Sequence, residues 1–353
     1  MSRFGLLLRN ELKLFRTAVP IHAVAILQPT VLYLLMSAIL VHPTFEMNVA
    51  QPTTDAGHEL LEAMEHVGSP IGLPYIEPVL VTFDRGPVAR QVVVVEDQDD
   101  HPVAVQYFGL VDSNLVKNYR NRLTAAGLRL WNEELGRQAV LVEEHAWLPQ
   151  DMPYTVYFGM ALLPMAVFVA ASFLGAVLIA QEFEFRTILE YRLAPLSPAW
   201  ILGARMARLL LLALVAGALV SIALGLRSDA WPDLPWLVAL ILLPVGLIAG
   251  CLGTLAGLLL RRTIPAFLVG LVASFVGWIM GSGFGLAAGF GEWYDRLSRL
   301  TPFTHAVELL FPRYFGAVIG RPALSVAYLL LVSAAMLAAT VAVYRWRVTR
   351  QAP

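Results

Sequence analysis

The chain has 353 residues, 58% of them hydrophobic and only 14% charged, with a mean hydropathy of +0.67. A soluble domain averages about 45–50% apolar and about 25% charged residues, so in water this chain would expose apolar area it has no means to cover. Its 25 basic and 26 acidic residues give a net charge of −1, a total that is informative only once divided by segment. Cys251 is the single cysteine, which excludes an intrachain disulfide. The only lysines, Lys13 and Lys117, follow Leu12 and Val116, so the chain lacks the Gly-Lys-Ser/Thr of a phosphate-binding loop and any nucleotide site of that kind.

Residues 1–20 read as an amphipathic interface helix. Phe4, Leu7, Leu8, Leu12 and Phe15 recur at helical spacing, and Arg3, Arg9, Lys13 and Arg16 take much of the remainder, which suits a helix lying in the membrane interface. The competing reading is a cleaved signal peptide. Against it, Ile21–Val41 is longer than a usual signal core, and no small-x-small cleavage site follows. Six apolar runs near the ~18–20 residues that span a bilayer as a helix follow in order. They are Ile21–Val41, Val156–Ala180, Ile201–Leu226, Pro235–Leu260, Thr263–Phe290 and Ala323–Tyr344.

The segment between the first two, residues 42–155, is too long for a connector and carries 17 acidic against 7 basic residues. Asp55–Val67 reads as a helix, and the Val-rich runs Val79–Phe83, Gln91–Glu96 and Val103–Phe108 read as strands. Asp112–Gly136 reads as an amphipathic helix with Asp112 or Ser113 as N-cap and Gly136 as its stop, and Ala139–Val142 as one more strand. The expected architecture is an all-α polytopic membrane protein of six transmembrane helices, with a small α/β extracytoplasmic domain between helices 1 and 2.

Orientation follows from charge. The N-terminus, the segment 181–200 with Arg205 and Arg208, the pair Arg261-Arg262 and the C-terminal tail together hold 13 basic and 4 acidic residues, against 12 basic and 22 acidic elsewhere. Short Arg-rich loops face the cytoplasm. Both termini are therefore expected there, in a multi-pass protein of the cell membrane.

After the second span comes the most informative stretch, residues 181–198, an amphipathic charged run with Glu182, Glu184, Arg186, Glu190 and Arg192, closed by Pro195-Leu196-Ser197-Pro198. From composition alone it is equally well a solvated loop with interfacial arginine anchors. Glu182, Glu184, Thr187, Pro195 and Ser197 match the pattern Glu-x-Glu-x-Gly-Thr-(seven residues)-Pro-x-Ser, and the segment resembles the cytoplasmic loop of ABC-2 type exporter permeases. Arg186 replaces the usual Gly and Tyr191 a common Leu, departures that bear on local helix geometry. Pro302-Phe303-Thr304-His305-Ala306-Val307 is similar to that family's Pro-(Leu/Phe)-Thr-x-Ala-Val element before the last span, and the order of interface helix, span, outer loop and five further spans is also alike.

The resemblance implies a permease subunit without ATPase of its own. ATP and Mg would be bound on a separate ATP-binding cassette subunit, docked against the interface helix (Arg9, Lys13, Arg16) and the elbow residues Glu182, Glu184, Arg186, Thr187, Glu190, Arg192 and Pro195. It also implies a second permease subunit, identical or homologous, and no role for nucleic acid. If the elbow is hydrated when unbound, reversing Glu182 and Glu184 should cost little stability and abolish coupling.

The segment Thr301–Gly320 is too interrupted to span and resembles the re-entrant outer hairpin (residues 298–320) of the same family. Within it His305 and Glu308 share a helix face, at the outer interface by the simpler reading, or as metal ligands or a proton relay. His58, Glu62 and His66 recur every four residues; a solvated acidic helix accounts for them, and a zinc site is the alternative, though not one of the His-Glu-x-x-His type. No catalytic residue is expected. The glycines from Gly277 to Gly291 read as sites of close helix approach or local bending.

Arg205 and Arg208 are expected to snorkel, and the spans hold no chain of buried acids and histidines such as an ion-coupled carrier needs. That favours an apolar or amphipathic cargo. Gln28, Pro29, Tyr33 and Ser37 on the first span, with Pro164, Ser172 and Phe173 on the second, are candidates for the translocation path. Two rival readings stand beside the exporter. One is an ion- or proton-coupled secondary transporter; the other is a membrane-anchored sensor or hydrolase working through the outer domain.

Overall fold

A computed structural model of the protein describes residues 3–13, 19–40, 45–68, 74–83, 92–98, 101–107, 113–134, 154–188, 197–286 and 292–349. Arg16, Asp112, Gly136, the expected strand Ala139–Val142, Glu190, Tyr191, Arg192, Pro195, Gly289 and Gly291 lie outside the described residues. In chain order the elements are α1 (Arg3–Lys13), α2 (Val19–Leu40), β1 (Phe45–Ala50), α3 (Asp55–His66), β2 (Ile76–Val81), β3 (Val92–Gln98), β4 (His101–Tyr107), α4 (Ser113–Glu134) and α5 (Tyr154–Glu184). They continue as α6 (Pro198–Ser228), α7 (Pro235–Leu260), α8 (Thr263–Met280), α9 (Glu292–Ser298), α10 (Pro302–Phe315) and α11 (Pro322–Thr349). The chain divides into two units, Leu40–Asp151 and the remainder.

In the larger unit α2, α5, α6, α7, α8 and α11 are each long and apolar enough to cross a membrane. They fall within a few residues of the expected spans, with one exception. The expected span Thr263–Phe290 stops at Met280. Glycine is near neutral in hydropathy and does not visibly interrupt an apolar run, yet here it ends the helix. The N–H groups of Gly281 and Gly283 both return to the Trp278 carbonyl, at 3.1 and 2.9 Å, and Ser282 takes φ 71°. The Tyr157 hydroxyl donates to the Ser282 carbonyl at 2.6 Å and fixes the turn. Close approach holds as well: a Cβ on Gly277 would stand 2.7 Å from the Phe303 ring.

Helix α5 is buried along almost its whole span, packed by α6, α7 and α8. A helix enclosed on all sides has no polar face to keep, and its sequence from Val156 to Ala180 has none. Its tightest neighbour is α7, where a Cβ on Gly253 would lie 2.1 Å from the Ser172 carbonyl oxygen and one on Gly257 2.8 Å from that of Ala176. Glycines four apart on one face let two backbones touch.

The 14 residues of α10 reach only about 21 Å at 1.5 Å per residue, too short to cross the hydrocarbon. Its start is encoded locally. Thr301 is the N-cap and accepts from the Thr304 N–H, Pro302 fills the first helical position, and Gly316 closes the helix with φ 67°.

The unit Leu40–Asp151 holds a four-stranded sheet in the order β2-β1-β3-β4. Strand β1 is parallel to both neighbours and β3 pairs antiparallel with β4. The core joins Met47 and Val49 of β1 and Ile76 and Val93 of the sheet to Leu60, Ala63 and Met64 of α3 and Tyr119 and Ala126 of α4. Three strands and both helices match expected elements to within three residues at each end. Strand β1 is an addition. Met47 and Val49 alternate with Glu46 and Asn48 at the strand period, but the run directly follows a span and reads as its exit.

Candidate functional site

Charged side chains gather where the C-terminal end of α5 meets α1 and α6. Arg205 and Arg208 sit three residues apart on one face of α6, and Glu11 is the only acid in α1. Arg208 Nη1 donates to Glu11 Oε2 at 2.7 Å and to the Glu11 backbone carbonyl at 3.1 Å, where α1 has carbonyls left over at its end. Arg205 reaches both acids, Glu11 at 3.6 Å through Nε and Glu182 through Nη2. The side chains of Arg205, Arg208 and Glu11 are 6%, 5% and 9% exposed, and that of Glu182 17%. Two cations and two anions thus cancel inside the protein, an arrangement that fixes position more than it adds stability.

The other side of the α5 terminus is tied to the turn between α7 and α8. Glu184 accepts from the Thr263 N–H at 2.8 Å and from its hydroxyl at 2.6 Å, which places a carboxylate on the positive end of α8. The Arg261 guanidinium lies 5.4 Å from the centre of the Phe183 ring.

These contacts correct two expectations. Arg205 and Arg208 do not snorkel; they are buried against acids of α1 and α5. Glu182 is not a free charge on a hydrated elbow but is held against Arg205, so reversing it would put like charges together. Glu184 is exposed, as expected of the elbow, though its carboxylate is engaged by Thr263. Arg186 is exposed, with φ 61°. The family pattern has Gly there, and the left-handed backbone gives the reason. Arg186→Gly is therefore expected to raise stability by about 1 kcal/mol, read as a higher melting temperature of the purified protein. Sequence reading missed Glu11 altogether. The available signal was a lone acid in a basic helix facing two arginines inside an apolar span.

On α1, Arg9 and Lys13 are exposed. Of the candidate path residues, Tyr33 is fully buried and shares a 2.9 Å hydrogen bond with Ser228 Oγ. Ser37 is buried and donates to the Leu34 carbonyl at 3.0 Å. Ser172 is buried 3.2 Å from Ser274 Oγ. These three serve helix contacts within the chain, whereas Gln28 and Phe173 are half-buried, Phe173 edge-on to Phe267 at 5.1 Å. In the other unit, His58 Nδ1 bonds the Thr54 carbonyl at 2.9 Å and His66 Nδ1 the Glu62 carbonyl at 2.8 Å, so the four-residue repeat serves the backbone. Among the described residues no group of three potential ligands stands close enough to hold a metal.

No curated protein matches the chain. A family model described as ABC-2 family transporter protein matches residues 131–342, which take in α5 to α10 and most of α11. Those residues make up more than half of the chain and contain the elbow, the capped α10 and five of the six long apolar helices, so the chain belongs to the ABC-2 transporter family, the membrane components of ABC transport systems that generally work with an ATP-binding subunit.

Proposed function

We propose that this chain is the permease subunit of an ATP-driven exporter for an apolar or amphipathic cargo, with ATP and Mg bound on a separate cassette subunit. The observation that carries this reading is the buried cluster of Glu11, Arg205, Arg208 and Glu182. It joins the amphipathic helix α1 to the ends of α5 and α6, so a push on α1 or on the elbow is delivered to two spans at once. The docking residues are the exposed Arg9 and Lys13 with Arg16 on the interface helix, and Arg186, Thr187, Glu190, Arg192 and Pro195 on the elbow. Glu182 and Glu184 act inside the chain, as the anchors that keep the elbow from yielding. Both termini face the cytoplasm of the cell membrane. Two permease subunits enclose the path, with half-buried residues such as Gln28 and Phe173 turned toward it.

Reversing exposed charges at an interface weakens binding without unfolding the carrier. Arg186→Glu with Arg192→Glu is expected to leave expression and membrane insertion near the parent's while cargo-stimulated ATP hydrolysis by the assembled transporter falls at least tenfold. Transport at the parent's rate by this double variant, or failure of the gently extracted chain to bring down any nucleotide-binding subunit, would overturn the reading.

A further inference from the structure

Around the first half of α10, a second set of buried polar groups has no part in that scheme. His305, Glu308 and Ser325 are all at most 6% exposed. The Ser325 hydroxyl lies 2.5 Å from Glu308 Oε2 and 3.0 Å from His305 Nδ1. His305 Nε2 lies 2.9 Å from the Arg299 backbone carbonyl, and the imidazole stacks on the Tyr328 ring with centroids 4.0 Å apart.

Counting hydrogens in this chain of contacts forces a conclusion. A carbonyl only accepts, so Nε2 of His305 carries a hydrogen. The serine hydroxyl has one hydrogen and two partners. If it donates to Glu308, then Nδ1 must donate to it, and His305 is an imidazolium. If it donates to Nδ1, then Glu308 must donate to it, and Glu308 is a carboxylic acid. Either way the three bonds need one proton beyond those of a carboxylate and a neutral imidazole.

Charge balance points the same way. Asp295 pairs with Arg299 at 3.0 and 3.3 Å, and Arg299 Nη1 also reaches Glu308 Oε1 at 3.3 Å. The remaining charge of α10, Arg313, is paired with Asp233 at 2.9 Å, and Arg321 stands just before α11. Of the other helices packed on α10, α7 and α8 contain no acid, histidine or basic residue, and the two glutamates of α5 lie at its far end. Tyr328 donates its hydroxyl to the Leu300 carbonyl at 2.5 Å. With Arg299 and Asp295 cancelling, the histidine and glutamate are neutral together only if they hold one proton. Neutrality matters here. Glu308 forms part of the wall of an apolar hollow of about 750 Å³ whose lining includes Leu240, Pro244, Leu309, Val326 and Leu330, where an unbalanced charge is costly. The fold also closes on the carboxylate, for a Cβ on Gly320 would meet Glu308 Oε1 at 2.2 Å.

We propose that His305, Ser325 and Glu308 form a proton-binding site, in which one proton shared through the serine clasps α10 to α11. Loss of the proton breaks one contact of the chain, so the clasp loosens as pH rises. This holds whatever the cargo is.

The test uses the purified full-length chain in detergent or nanodiscs. Near neutral pH, ¹⁵N spectra of labelled histidine, assigned by difference from His305→Gln, should show an imidazolium, or infrared difference spectra against Glu308→Gln should show a carboxylic acid carbonyl. A neutral imidazole beside an ionised carboxylate would overturn the proposal, because no placement of hydrogens then makes all three bonds. The second measurement is melting temperature against pH. The parent should lose roughly 2–4 °C on the alkaline side, the shift expected for one buried hydrogen bond in a chain of this size. Glu308→Gln brings its own amide N–H to Ser325 and needs no extra proton, so its alkaline limb should be flat. An equal limb in both proteins would overturn the proposal, as would a flat parent. Should the variant fail to fold, the His305 spectra and the parent's own pH limb decide.

Discussion

Gly253→Ala is expected to destabilise the protein by about 3 kcal/mol or more, at the upper end of what overpacking costs. The new methyl carbon would stand 2.1 Å from the Ser172 carbonyl oxygen. That oxygen is backbone, fixed in the ladder of α5, and has no rotamer into which to retreat. The helices must part, and parting them forfeits dispersion contacts along the tightest seam in the membrane. Gly250→Ala is the control, because its added carbon would find its nearest neighbour, Met206 Sδ, at an ordinary 3.6 Å. Melting temperatures of the two variants in detergent separate the explanations. Equal losses in both would mean that helix propensity or general tolerance, not this contact, sets the result.

The second large effect is expected at Glu11. Glu11→Leu removes the carboxylate that both Arg205 and Arg208 face, and removing one partner of a buried pair costs about 3–5 kcal/mol. Adding Arg208→Leu should restore most of that loss, since two apolar side chains in the same space need no counter-charge, while Arg205 keeps Glu182. A double-mutant cycle reads the coupling directly, and about 3 kcal/mol or more is expected between Glu11 and Arg208, because the second change returns most of what the first one cost. Additive losses would show that the pair stands close without depending on each other. The same cycle followed by ATPase coupling asks a separate question, whether a stably folded chain with an apolar joint still transmits a push.

The spans were legible because crossing hydrocarbon demands some twenty apolar residues in a row, a length no other element of this chain needs. The capped start of α10 was legible in part, since Thr301-Pro302 announces a boundary. The end of α8 was not, because what stops it at Met280 is a pair of N–H groups turning back to one carbonyl, and the near-neutral glycines involved do not interrupt the apolar run. The elbow showed a similar split. Its pattern placed the chain in a family, and the Arg186 departure marked the left-handed position. Yet the burial of Glu182 could not be read there, because its partners lie on α1 and α6, far along the chain. Charges that cancel only in three dimensions look like surface charges in one. His305 and Glu308 were visible as neighbours on a helix face, but Ser325, which makes the hydrogen count matter, comes from the next helix.

The enclosure of α5 bears on how the protein is made. The helix that ends up in the middle is synthesised before α6, α7 and α8, the three helices that do most to enclose it. At ordinary rates of translation, roughly 5–20 residues per second, the hundred or so residues that follow take on the order of ten seconds to appear. For that time the surface of α5 belongs to lipid or to an insertion factor. Its unbroken apolar sequence makes the wait harmless, as any polar face suited to a finished interior would be stranded in hydrocarbon. Later neighbours must then displace acyl chains with no gain in hydrophobic burial, winning on shape alone. A mutation on α5 that improved its fit to lipid would compete with its own completion, and its harm would fall on the yield of inserted protein before it fell on transport.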